Sequence, residues 1–259
     1  MTILATTYST GRHPIARKTG VLLIHGLNGS LKDMAEIEMA LRRHNFVTSN
    51  ILLPGHGSTV QDLVTLGWPE WSAAVHAEYQ HLKQQCDKVF VIGHSLGGAL
   101  ALDLATHEKV AGLVTMCAPL NLYAWLKPLV RAAKYVTPLV PTLREDVRDR
   151  EARRAYTRDV YRWTPMRPVE SMINHLPTLR EKLPSITAPA LVMVSNHDHV
   201  VPARDGREIY RLLGSREKYL VTFFHSYHVI MRDHDREEVL AKTEAFLLRQ
   251  ALHVQHDPF

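Results

Sequence analysis

The segment Gly93-His94-Ser95-Leu96-Gly97 sets a serine between two glycines. The apolar run Val89-Phe90-Val91-Ile92 precedes it, and a stretch rich in Ala and Leu, Leu96 to Ala105, follows. A G-x-S-x-G sequence gains its meaning from a strand on one side and a helix on the other, because the turn between them must be sharp enough to lift the hydroxyl clear of the chain. Glycines two before and two after the serine spare that turn the clashes a Cβ would bring. The serine oxygen then stands at a helix start, where amide N–H groups and the helix dipole favour negative charge. The chemistry open to such a residue is nucleophilic attack on a carbonyl carbon. Without chemistry, the same segment is only a glycine-rich turn.

A serine hydroxyl is a weak nucleophile at neutral pH and needs a base, with a third group to orient that base. The chain has 16 histidines, so position must choose among them. His228 lies in Phe224-His225-Ser226-Tyr227-His228-Val229, just past the last apolar run, and is the candidate base; His225, nearer the strand end, is its rival. Activity is then expected to fall in acid as the base protonates, in the range where histidines titrate. Asp198, in Asn196-His197-Asp198-His199-Val200-Val201-Pro202, follows the run Ala190 to Val194. A carboxylate there can accept from an imidazole and stabilise the imidazolium. The order serine, acid, histidine is the one this kind of turn carries. Asp205 and Asp233 are rivals; Asp205 reads as helical and solvated, and Asp233 comes after the histidine.

The negative oxygen of a tetrahedral intermediate needs fixed donors, each worth roughly 3 kcal/mol. The Leu96 amide, next after the serine, is the first candidate. The second should come from His25-Gly26-Leu27-Asn28-Gly29, the loop after Val21-Leu22-Leu23-Ile24. His25 and His56 read as braces for such loops. His197-Asp198-His199 does not read as a metal site, since adjacent residues seldom point at one ion and no His-x-x-x-His pair supports it. No metal or other cofactor is expected.

These residues must be positioned by the elements before them. Val21–Ile24, Phe46–Leu53, Val89–Ile92, Val110–Met116, Ala190–Val194 and Tyr219–Phe224 read as strands. Helices are expected after Ser30, over Trp71–Cys86, Leu96–Ala105, Ala203–Leu213 and Glu237–Gln250. Such alternation implies a mostly parallel sheet with helices on both faces, and ligands bound beyond the strand ends. From Leu120 to Leu183 the alternation stops. Prolines and charged helical pieces take its place, as in an insertion.

With 259 residues, 46% hydrophobic and 22% charged, the chain fits one sizeable globular domain. The net charge of +5 is interleaved with acids, as in Arg148-Asp149-Arg150-Glu151, so no nucleic-acid partner is expected. No apolar run of about 18 residues suggests a membrane span, and Met1 to Gly20 lacks the pattern of a signal peptide. A cytoplasmic chain is the expectation, with Cys86 and Cys117 reduced and buried. Nothing in the sequence specifies an oligomeric state.

On Leu22-Leu23-Ile24-His25-Gly26-Leu27, Leu53-Pro54-Gly55-His56-Gly57, the serine turn, Val114-Thr115-Met116-Cys117-Ala118-Pro119 and His228-Val229-Ile230, the chain resembles the α/β-hydrolase superfamily. More narrowly it resembles small bacterial carboxylesterases related to monoacylglycerol lipases, and the Val114–Pro119 piece points to that subgroup. The stretches run along nearly the whole chain. The resemblance implies an α/β-hydrolase core over residues 1–119 and 185–259, with a helical cap over 120–184. It implies catalysis by Ser95, Asp198 and His228, favouring His228 over His225, and makes the Leu27 amide the second oxyanion donor. It implies a small-molecule ester as substrate. One departure is Tyr227, where the family usually has glycine. Dehalogenases of this fold carry aspartate at the turn, which Ser95 argues against. A monoacylglycerol lipase or a thioesterase would use the same three residues, and a ligand-binding receptor on this scaffold is the non-enzymatic alternative. Trp125, Leu126, Leu129, Val130, Tyr135 and Leu139 are expected either to line a hydrophobic pocket or to pack the cap on the core.

Overall fold

Runs that are apolar on both faces become the inner strands of one parallel sheet, because only strands covered on both sides tolerate such composition. The computed structural model describes residues 18–121, 130–131, 137–142, 146–159 and 161–253. The inner strands are β1 (Thr19–Ile24), β3 (Lys88–His94), β4 (Gly112–Met116) and β7 (Ala190–Ser195), almost wholly buried. The edges, β2 (Val47–Ile51) and β8 (Lys218–Phe223), are partly exposed and more polar. Strand order is β2-β1-β3-β4-β7-β8, and every pair in this sheet is parallel.

Successive side chains of the inner strands enter opposite cores. Leu22, Ile24, Val89 and Val91 join one cluster; Val21, Leu23, Phe90 and Ile92 join the other. The first is covered by α3 (Trp68–Gln85), α4 (Leu96–His107), α6 (Met166–Lys182) and α7 (Ala203–Leu212), the second by α1 (Ala35–Arg43) and α8 (Arg236–His253). α1 follows a short 3-10 turn, Leu31–Asp33, that Ser30 caps as expected: its hydroxyl accepts the Lys32 amide at 3.3 Å. α3 begins three residues before the expected Trp71, because Pro69 suits a first helical turn and Glu70 accepts the Gly67 amide at 2.9 Å. The one-turn helix α2 (Val60–Val64) was not anticipated; it is too short to show a period.

From β1 the chain crosses to β2 on one side, whereas from β3 it crosses to β4 on the other. The loops leaving β1 and β3 therefore diverge, and a crevice opens at their carboxyl ends. The Leu27 loop and Ser95 lie there.

Between β4 and β7, α5 (Arg150–Asp159) and α6 supply the expected helical pieces. The same span also holds an antiparallel pair, β5 (Leu139–Pro141) with β6 (Trp163–Pro165), which a reading of helical pieces alone missed. Each strand has three residues and ends in proline, so neither shows an alternation. Val130 is buried and Leu139 partly so. Trp125, Leu126, Leu129 and Tyr135 lie outside the described residues.

Candidate active site

Ser95 sits between β3 and α4 with φ 52 and ψ −119. That left-handed backbone costs a non-glycine residue about 1–3 kcal/mol, so its surroundings must impose it. Its amide donates to Met116 O at 2.8 Å, and its carbonyl accepts the Ala99 amide at 3.1 Å. The glycines make the turn possible sterically. A Cβ on Gly93 would stand 2.1 Å from Gly97 O, and one on Gly97 would stand 2.2 Å from Ile24 O. The sequence expectation that these positions cannot carry side chains is met in atomic detail.

Three strand-end loops converge on the serine. His228 Nε2 is 2.9 Å from Ser95 Oγ, and His228 Nδ1 is 2.7 Å from Asp198 Oδ2. The other carboxylate oxygen of Asp198 accepts the amides of Val200 at 2.7 Å and Val201 at 2.9 Å. The Asp198 and His228 side chains are only 1% and 7% exposed, whereas Ser95 is open enough to meet a ligand. Burial pushes the Asp198 carboxyl up, but the His228 charge and the hydrogen bonds outweigh it and hold it below the usual range. A carboxylate that stays ionised fixes the proton on Nδ1 and leaves Nε2 to accept from the serine.

The rival residues have other work. His225 is exposed, with its amide bonded to Asp235 at 3.1 Å. Asp205 is helical, in the first turn of α7, but the expectation that it is solvated is wrong: it is fully buried. It accepts the amides of Leu120 at 2.8 Å and Asn121 at 2.9 Å, and those bonds replace the water it gives up. Asp233 is buried too, and accepts the amides of Arg148, Asp149, Tyr227 and His234 at 2.7–2.9 Å. Nothing in the order of residues marks either aspartate as a clasp for distant backbone.

Three further histidines brace the site. His25 accepts the Leu53 amide on Nε2 at 3.1 Å and donates from Nδ1 to Gly26 O at 2.8 Å. His56 accepts the Asn28 amide on Nε2 at 3.2 Å and donates from Nδ1 to Leu53 O and Pro54 O, both at 3.2 Å. These agree with the expected bracing roles. His94, beside the nucleophile, was not singled out; its Nε2 donates to His228 O at 3.1 Å. Burial lowers all three below the ordinary histidine value, His25 and His94 to about 3. They stay neutral, so none of the three adds a second cation beside an imidazolium at His228.

Leu96 is the first residue of α4, so its amide has no partner within the helix's own ladder. Leu27 follows Gly26, where a Cβ would stand 3.2 Å from Ser95 Cβ. Tyr227, the departure from the family pattern, packs its ring 4.4 Å from that of His199 and lies beneath the Arg148 guanidinium at 5.8 Å.

His197 and His199 are exposed on either side of Asp198 and do not join it around one point. Among the described residues, one group of metal-ligating type has its donor atoms within 4.8 Å of one another: Cys117, Asp198 and His228. It suits a proton relay better than an ion. Both ring nitrogens of His228 already face Asp198 and Ser95, and burial, and then the Asp198 charge, push the Cys117 thiol well up.

The family described as serine aminopeptidase, S33, matches residues 16–235. The thermostable monoacylglycerol lipase of Bacillus sp. (strain H-257) is 29% identical over 233 residues, covering 90% of this chain and 91% of that protein. The carboxylesterase of Bacillus subtilis (strain 168) is 26% identical over 235 residues, covering 88% and 91%. A solved structure from work on LipS and LipT, two metagenome-derived lipolytic enzymes, superposes with a TM-score of 0.82 at 29% identity, covering 91% of this chain and 95% of that one.

Proposed function

The chain belongs to the family described as serine aminopeptidase, S33, and is a serine hydrolase of the α/β-hydrolase fold, and from that premise we propose that it cleaves carboxylic esters through an acyl-enzyme on Ser95. The single observation that carries this reading is the chain of contacts from Ser95 Oγ to His228 Nε2 at 2.9 Å and from His228 Nδ1 to Asp198 at 2.7 Å.

In the first step Ser95 Oγ attacks the ester carbonyl carbon while His228 Nε2 takes its proton. The carbonyl oxygen becomes an oxyanion facing the Leu96 and Leu27 amides. As the C–O bond breaks, His228 gives the proton to the departing alcohol. In the second step water attacks the acyl carbon, His228 takes its proton, and collapse returns that proton to Ser95 Oγ as the acid leaves. Asp198 stays ionised throughout.

The substrate is a small-molecule ester, and the core of residues 1–119 and 185–259 carries the chemistry. The cap, residues 120–184, sets the acyl preference, while Val130 is buried in the core cluster that α3 and α4 cover and so packs the cap on the core. Among the described residues no helix is long and apolar enough to cross a membrane, which is compatible with a cytoplasmic enzyme. A second reading, a monoacylglycerol lipase, is favoured by the Bacillus sp. relative of that description. A thioesterase would use the same atoms.

A substrate panel separates these readings: p-nitrophenyl esters of rising acyl length, monoacylglycerols and acyl thioesters. Highest kcat/KM on the simple esters is expected. Preference for monoacylglycerols or thioesters would reassign the substrate. Labelling of Ser95 by a fluorophosphonate with no turnover of any member would mean a binding protein.

A further inference from the structure

The loop that carries the Leu27 amide is a tight turn, and its corner is held from the inserted segment. The Gly29 amide donates to Gly26 O at 3.0 Å and closes the turn. Asn28, the third residue, has φ 62, while Leu27 before it is not in the positive region. That combination is a type II turn, whose third position favours glycine or asparagine. Two contacts fix Asn28. Its backbone N–H donates to His56 Nε2 at 3.2 Å, and its side-chain amide donates to Thr164 Oγ1 at 2.7 Å.

Thr164 lies in the middle of β6, and its hydroxyl is also 2.9 Å from that of Thr142, just after β5. Tyr161, two residues before β6, stacks on His56 with ring centres 6.3 Å apart. Its hydroxyl donates to Gly55 O and accepts the Ser58 amide, both at 3.1 Å. The hairpin thus reaches both anchors of Asn28: it bonds the side chain directly and packs on the imidazole that holds the backbone. On its other side the turn lies against the nucleophile, through Gly26 and Ser95.

We propose that Asn28 is a positioning residue, and that Thr164 is the point through which the cap sets the Leu27 amide for the oxyanion. The inference rests on the ester-hydrolase reading above. With both contacts in place, the peptide between Leu27 and Asn28 is turned so that its N–H meets His56. Without the Thr164 bond this peptide is held by His56 alone and rotates more readily toward type I geometry, which an L-residue at the corner adopts more easily. The neighbouring Leu27 amide then loses its fixed direction. A donor that drifts weakens transition-state binding far more than ground-state binding, since preorganisation is what gives it worth.

Thr164→Val keeps the branched shape and removes the hydroxyl; Thr164→Ser keeps the hydroxyl. On p-nitrophenyl acetate, too short to fill an acyl pocket, Thr164→Val is expected to lower kcat about tenfold with KM within about twofold, whereas Thr164→Ser stays within about twofold on both. The double variant with Asn28→Ala is expected to be no slower than Asn28→Ala alone, because both changes break one contact. Exchange of the Asn28 amide, read by NMR in the same proteins, is expected to be about tenfold faster in Thr164→Val. Unchanged kcat in Thr164→Val, an equal loss in Thr164→Ser, or unchanged Asn28 exchange would overturn the latch. A parent protein that hydrolyses no ester overturns the reading beneath it instead.

Discussion

Asp233 accepts the Arg148 amide at 2.7 Å, and so fastens the inserted segment to the loop that carries His228. The same oxygen accepts the Tyr227 amide at 2.8 Å, one residue before the proposed base. Asp233→Ala would strand the part-buried Arg148, Asp149 and Tyr227 amides together. A loss of about 3 kcal/mol in unfolding free energy is expected, since unsatisfied buried donors cost about 1–3 kcal/mol each and partial rehydration offsets some of it. Urea denaturation at neutral pH measures it. A midpoint equal to that of the parent would mean that these bonds do not hold the loop.

The buried histidines give stability a pH dependence of definite sign. His25 and His94 fall to about 3 in the folded protein, from an ordinary 6.5. Between those values the unfolded chain binds protons that the folded chain refuses, so stability rises with pH across the window and levels off above about 6.5. Asp198, held low in the fold, acts in the same direction at the acid end. Two such histidines amount to about 4 kcal/mol lost between pH 8 and pH 5. Denaturant titrations at pH 5, 6, 7 and 8 read the slope, and His94→Asn is expected to flatten it by about half. A parent as stable at pH 5 as at pH 8 would contradict the burial of neutral rings.

Gly97 and Gly20 offer a matched pair of substitutions. A Cβ on Gly97 meets the backbone oxygen of Ile24 at 2.2 Å, whereas one on Gly20 meets the Cys86 side chain at 3.1 Å or more. Backbone at the end of β1 cannot retreat without moving the Leu27 loop. Gly97→Ala is expected to cost about 3 kcal/mol and to lower kcat as well, while Gly20→Ala costs less than about 1 kcal/mol. Thermal unfolding and kcat on one short ester test both. Similar effects from the two substitutions would mean that the turn relaxes more freely than its contacts imply.

Local chemistry made the serine turn, the inner strands and the Asp198 and His228 loops legible. Glycines flanking Ser95, continuous apolar runs and the order of the strand ends are all written in neighbouring residues. The ties across the insertion were not. Asp205 looks like any helical acid until Leu120 and Asn121 are seen folded against it, and Asp233 looks like a spare carboxylate after the histidine. Thr164 lies in a three-residue strand that ends in proline, where no period exists to read. Its partner Asn28 is 136 positions away. Bonds of that reach depend on how two parts of the chain dock, which residue order encodes only through the whole fold.

The relay from Ser95 through His228 to Asp198 is tested most directly by the turnover of Ser95→Ala on a short p-nitrophenyl ester, with circular dichroism to show that the fold is kept. A fall in kcat of at least about a thousandfold is expected, because the oxyanion donors alone retain only a small part of the rate enhancement. A folded Ser95→Ala protein that hydrolyses the ester at a rate near that of the parent would contradict the account.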